Sequence, residues 1–121
     1  MSPEKQRIAI AKACGWKDHD DPEVMKLKVG WTMPEKWCLD PKGVLRFNHD
    51  RPDYLHDLNA MHTAWKTCIS FKDRVHPRYR RILRSICERD RGLFGEWDAL
   101  NATAAQRAEA FLKTLNLWTD D

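Results

Sequence analysis

Thr103, Gln106 and Arg107 are the densest group of chemically capable residues in this chain. A threonine followed three residues later by glutamine, ahead of an apolar run, has the spacing of a capping box. It opens a helix whose first N–H groups lack partners within the helix. Such a terminus attracts anions, phosphate above all, and Arg107 adds a fixed positive charge one turn in. An aromatic plane that stacks on a base would make this a nucleotide site. Trp16 at the exit of the first helix, and Phe94 and Trp97 ahead of the last, are placed to supply one. Arg46, projecting from a strand, would complete the charge balance. The expected ligand-binding set is Trp16, Arg46, Phe94, Trp97, Thr103 and Arg107, a pocket for a small anionic ligand. Each residue also has a structural reading: Thr103 and Gln106 as a cap, Arg107 as exposed surface, and the tryptophans as core.

A second group is electrostatic. Residues 72–91 hold eight basic side chains against three acidic ones, in a chain whose net charge is only +3. Arg78, Arg81 and Arg84 fall on one face of an expected helix. They are the expected partner-binding set, suited to nucleic acid phosphates or an acidic protein. A charge run of this kind also serves as a solvated helix face.

Other chemistries find less support. The five histidines lack metal-ligand spacing among themselves or with the cysteines. G-x-S-x-G, H-E-x-x-H and a glycine-rich phosphate loop are absent. Asp18, Asp20 and Asp21 lack the glycine and distal glutamate of a calcium loop. The expectation is a protein without catalytic residues, metal or cofactor. Cys14, Cys38, Cys68 and Cys87 form no C-x-x-C pair and read as small buried hydrophobes in a reducing cytoplasm. No apolar run reaches the roughly 20 residues of a membrane span.

These groups need elements to position them. The 121 residues, 42% of them hydrophobic, suit one domain over 1–121. Ser2-Pro3-Glu4 opens a helix over 3–14, and Gly15 can end it in a left-handed conformation. Residues 17–28 read as a polar surface loop, and Val29–Trp31 as the beginning of a strand. Asp40-Pro41-Lys42-Gly43 separates two short apolar runs, 36–39 and 44–47, and so predicts a hairpin. Asp53 is the expected cap of a helix over 54–69 that packs on the hairpin, with Leu55, Leu58, Met61, Trp65, Cys68 and Ile69 inward. Helices over 77–89 and 104–115 follow, with a short strand or hairpin near Leu93, Phe94 and Trp97 between them. Leu117-Trp118 is expected to fold back on the core. The fold class is α/β of the α+β kind: a small antiparallel sheet packed with about four helices, helix exceeding strand.

Three segments together resemble a family of small phage and prophage proteins with an α-β-α sandwich domain. They are Ala13-Cys14-Gly15-Trp16, the run from Pro52 to His62, and the run from Ala102 to Leu115 followed by Trp118. They cover about half the chain, and the arginine-rich segment departs from the pattern. Some small phage proteins of similar layout are anti-Thoeris sponges. That resemblance implies an oligomer in the host cytoplasm that captures a cyclic ADP-ribose-like immune signal without cleaving it. Trp16 and Arg107 are the positions that carry over, with Phe94 or Trp97 as a further aromatic. The alternative is an anti-CRISPR-like inhibitor that docks on a host defence complex through its arginines.

Overall fold

The computed structural model describes residues 1–18, 21, 37–70, 72, 74–91 and 101–120. Among them run α1 (Pro3–Ala13), β1 (Lys17–Asp18), β2 (Trp37–Leu39), β3 (Leu45–Phe47), a single 3-10 turn (Asn48–Asp50), α2 (Leu58–Cys68), α3 (His76–Arg91) and α4 (Ala104–Thr114). Helix accounts for 56% of the described residues and strand for 9%, an α+β fold. The expected strands near Val29–Trp31 and Leu93–Trp97 lie outside the described residues.

Local chemistry sets the helix ends. The Ser2 hydroxyl accepts the Lys5 N–H at 3.2 Å, and Pro3 fills the first helical position of α1, where a missing N–H costs nothing. At the other end Gly15 has φ +103°, and the Trp16 N–H donates back to the Ala11 carbonyl at 3.0 Å. This is a Schellman closure, in which the residue after the left-handed position is carried back over the last turn. It fixes where Trp16 leaves the helix. α4 ends the same way, with Asn116 at φ 59° and Leu117 N–H donating to the Leu112 carbonyl at 2.8 Å. Trp118 then packs against the core, as expected, while Leu117 stays exposed.

The start of α2 differs from the sequence expectation. Asp57, not Asp53, is the cap, and its carboxylate accepts the N–H groups of Asn59 and Ala60. Asp53 instead pairs with Arg7 at 3.0 Å and His56 at 3.0 Å, and residues 54–56 form a turn. Both aspartates stand ahead of an apolar run, so spacing alone does not choose between them. Leu58 is consequently the first residue of the helix and faces solvent, while Ala64 joins the buried side.

The sheet is antiparallel in the order β1-β2-β3, with Lys17 opposite Leu39 and Cys38 opposite Arg46. The polar stretch beginning at residue 17 thus contributes an edge strand. The expected hairpin is present: Gly43 N–H bonds to the Asp40 carbonyl at 2.9 Å, and Gly43 has φ +83°. Pro41, Lys42 and Gly43 make the three-residue connection that pairs a type I turn with a left-handed residue.

The helices make the common core. Ile10 and Ala11 of α1, Met61, Ala64 and Cys68 of α2, Tyr79, Leu83, Ile86 and Cys87 of α3, and Ala108, Phe111 and Leu112 of α4 cluster together. No described strand residue belongs to that cluster, so the sheet lies beside the helices rather than between them. α2 packs on α4, not chiefly on the hairpin. α4 contacts α1, α2 and α3, and its small residues Ala104, Ala108 and Ala110 admit that close approach on several sides.

Candidate functional site

The two ends of the expected ligand set separate. At the start of α4 the Thr103 hydroxyl accepts the Gln106 N–H at 3.1 Å, and the Thr103 N–H donates to Gln106 Oε1 at 2.9 Å. The capping box is complete. Gln106 Nε2 donates to Asp90 Oδ2 at 3.1 Å, so a carboxylate of the chain itself already stands near this electropositive end. Ala102, Ala104 and Gln106 are 3%, 5% and 9% exposed, while Thr103 and Ala105 between them face solvent. Arg107 folds back, its Nε donating to the Ala102 carbonyl at 3.1 Å and its guanidinium bonding to the Tyr79 hydroxyl. Burial still dominates at Tyr79 and pushes the phenol up to about 12. Phe94 and Trp97 lie outside the described residues.

Trp16 and Arg46 do come together. They line one open cavity of about 450 Å³ with Asp40, Pro41, Lys42 and Asp50. The α1 closure delivers Trp16 to one wall, where Gly15 lies against Pro41. The hairpin delivers the opposite wall. Asp40 organises that wall through one carboxylate oxygen, which accepts the N–H groups of Lys42 and Val44, each at 2.9 Å. Its other oxygen holds Arg46 Nε at 3.3 Å. The Val44 N–H and the Arg46 guanidinium outweigh the cost of burial, so the Asp40 carboxyl lies below the usual range. Asp50 is similarly occupied, accepting the Phe47 N–H at 3.0 Å. Both acids therefore serve the frame. Among the described residues the Arg46 contact uses Nε, and Lys42 rides exposed on the turn, so both cations stand at the rim. A tryptophan side chain, a guanidinium and an ammonium around one opening suit a flat aromatic group carrying phosphate.

Sequence reasoning did not assign Lys42, Asp40 or Asp50 to a site. The turn composition was the available signal: a lysine between Pro41 and Gly43 in a tight hairpin must project outward. The link from Asp40 to Arg46 depends on strand register, which spacing alone does not give.

A second cavity, of about 430 Å³, is lined by residues including Arg7, His49, Arg51 and Asp53. Its arginines are committed. Arg7 pairs with Asp53 at 3.0 Å, Arg51 with Asp18 at 3.0 Å, and His49 lies 3.6 Å from Asp50. These contacts tie α1, β1 and the 3-10 turn together and leave little charge for a ligand.

The arginine face is partly used by the fold. Arg78 donates to the Lys113 carbonyl at 3.2 Å and to Asn116 Oδ1 at 2.8 Å, which closes the C-terminal end of α4. Arg89 makes a two-pronged contact with Glu109 at 2.8 and 3.0 Å. Arg80, Arg81 and Arg84 occupy the exposed side of α3, and Arg74 precedes it. Among the described residues no cluster of three or more His, Cys, Asp or Glu side chains is arranged to hold a metal ion. None of the described helices is long and apolar enough to cross a membrane. Comparison of the chain with family models, curated proteins and solved structures returns no match.

Proposed function

We propose that the Trp16–Lys42–Arg46 cavity holds a small phosphorylated nucleotide, and that the protein acts by retaining this ligand rather than converting it. The observation that carries the reading is the convergence of one half-buried tryptophan and two cations on a single opening of about 450 Å³. That volume falls in the range of small-molecule sites, roughly 300–1,000 Å³. The resemblance to small phage proteins supplies the ligand class to test first, cyclic ADP-ribose-like signals, and with it an anti-defence role as an oligomeric sponge. In this reading Trp16 stacks on the base and Arg46 and Lys42 hold the phosphates, in place of the first turn of α4.

Calorimetry with cyclic ADP-ribose and a panel of cyclic nucleotides tests it. Stacking of a base on an aromatic side chain contributes about 1–3 kcal/mol, so Trp16→Ala is expected to weaken binding roughly tenfold to a hundredfold. Arg46→Ala and Lys42→Ala are expected to weaken it as well, and to lower its salt dependence. Intact ligand should be recovered after denaturation, and native mass spectrometry reads the assembly state in the same sample. Absence of binding across the panel, or sensitivity confined to Thr103 and Arg107, would refute the assignment.

A second reading rests on the exposed Arg80, Arg81 and Arg84, which form one cationic side of α3. It has the protein dock on an acidic surface of a host defence complex. Arg81→Glu with Arg84→Glu should abolish such docking and leave nucleotide binding intact. Arg78 is unsuited to this test because it closes the end of α4.

A further inference from the structure

The opening that Trp16, Lys42 and Arg46 share is also walled by two carboxylates, Asp40 and Asp50. Its formal charges therefore cancel, two cations against two acids. The acids differ in how far the fold occupies them. The Asp40 side chain is only 10% exposed. One of its oxygens accepts the Lys42 and Val44 N–H groups, and the other holds Arg46 Nε. Its charge is taken up within the hairpin. The Asp50 side chain is 43% exposed. Its Oδ2 accepts the Phe47 N–H at 3.0 Å, and its Oδ1 lies 3.6 Å from His49 Nε2, too far for a hydrogen bond. A carboxylate offers about four acceptor positions. One backbone N–H leaves much of the Asp50 charge to act on the opening it lines.

We propose, resting on the nucleotide reading above, that Asp50 sets the class of nucleotide this cavity takes. It admits nucleotides whose phosphates are all bonded on two sides, as in a ring or diester, and disfavours those ending in a free phosphate group. The reason is charge. A phosphate bonded on two sides carries one negative charge, whereas a terminal phosphate carries about 1.5–2 at pH 7. Lys42 and Arg46 can each meet one charge. A further charge finds no third cation among the described residues of the lining and stands against Asp50. Repulsion between like charges across a half-hydrated opening changes affinity on the order of tenfold. Selectivity of this kind comes from repelling the wrong ligand rather than from gripping the right one harder.

Cyclic ADP-ribose and ADP make the matched pair for the test. Both carry adenine and two phosphates, but only ADP has a terminal one. Calorimetry on the full chain at fixed ionic strength is expected to show cyclic ADP-ribose binding roughly tenfold more tightly than ADP, with ATP weaker than ADP. Asp50→Asn removes the charge, while its amide oxygen can still accept the Phe47 N–H. It should narrow the ratio to about threefold or less. Glu4→Gln makes the same change in net charge beside the other cavity and should leave the ratio as it is. Equal or tighter binding of ADP by the wild type would overturn the proposal. So would a ratio unmoved by Asp50→Asn, or one narrowed as much by Glu4→Gln. Should Asp50→Asn not fold, salt decides. Raising it from about 0.1 M to about 1 M shortens the screening length from about 10 Å to about 3 Å, and the wild-type ratio should collapse with it; a ratio that persists overturns the proposal. Absence of binding by every nucleotide is a different result. It refutes the nucleotide reading itself, and the selectivity proposal falls with it.

Discussion

Gly15→Ala tests whether the end of α1 is built as described, because two separate costs meet there. The first is backbone. At φ +103° the residue lies well beyond the left-handed well near about +57°, and holding a non-glycine residue in such a region costs of order 1–3 kcal/mol. The second is contact. An added Cβ would come within 3.3 Å of the Pro41 Cβ, so the hairpin must yield by a few tenths of an ångström. Gly43→Ala supplies the comparison, since its φ is +83° and a Cβ there meets nothing within 4 Å. It carries the backbone cost alone. An unfolding entropy of about 2.1 cal/mol/K per residue over 121 residues makes each 1 kcal/mol worth about 4 °C in Tm. Gly15→Ala is then expected to lower Tm by ~4–12 °C, and Gly43→Ala by less. Thermal denaturation followed by far-UV circular dichroism measures both. A Gly15→Ala protein that melts within about 1 °C of wild type, or a larger loss in Gly43→Ala, would refute the reasoning. The same variant displaces either Pro41 or Trp16, so under the proposed function nucleotide binding should weaken along with stability.

Three further outcomes are expected. Phe111→Ala, at a fully buried position, should cost about 3–5 kcal/mol in urea denaturation; a loss below about 1 kcal/mol would contradict the central place of α4. Thr103→Ala removes the acceptor for the Gln106 N–H and should cost about 1 kcal/mol in the same assay, an effect absent if the capping box does not form. Stability should also fall in acid. Hydrogen bonds to Asp40 from Val44 and Arg46 hold its carboxyl down, while Asp53 and Glu109 are held down by Arg7 with His56 and by Arg89 with Lys113, in both cases against burial. A depressed carboxylate stabilises the fold fully above its ordinary range and loses that contribution as pH falls through the depressed value. Urea midpoints that stay level between about pH 6 and pH 3 would count against these pairings.

The helices were legible because their signals are local. Ser2-Pro3 and the Thr103–Gln106 pair mark helix starts whatever surrounds them, and an apolar stripe such as Ala108, Phe111 and Leu112 points inward in any fold that has a core. The hairpin was legible for the same reason, in the turn residues from Asp40 to Gly43. Where two local signals compete, as with Asp53 and Asp57, sequence offers no arbiter. The choice fell to a distant residue, since Arg7 of α1 claims the Asp53 carboxylate.

The site depended on distance relations that spacing does not contain. By itself the sequence determined that Thr103 would cap a helix, that Trp16 would follow a left-handed turn, and that Lys42 would ride on a hairpin. Tertiary structure decided which of these face a common space. It set Ala104 and Gln106 of the first turn of α4 inward and turned Arg107 onto Ala102 and Tyr79, which engages that guanidinium within the fold. It also brought Trp16 to the same opening as Arg46 of the hairpin, through contacts between segments far apart in the chain. Capping and periodicity are fixed within one or two turns. Convergence of separate side chains depends on how whole helices pack, and that is settled by the summed burial of the core.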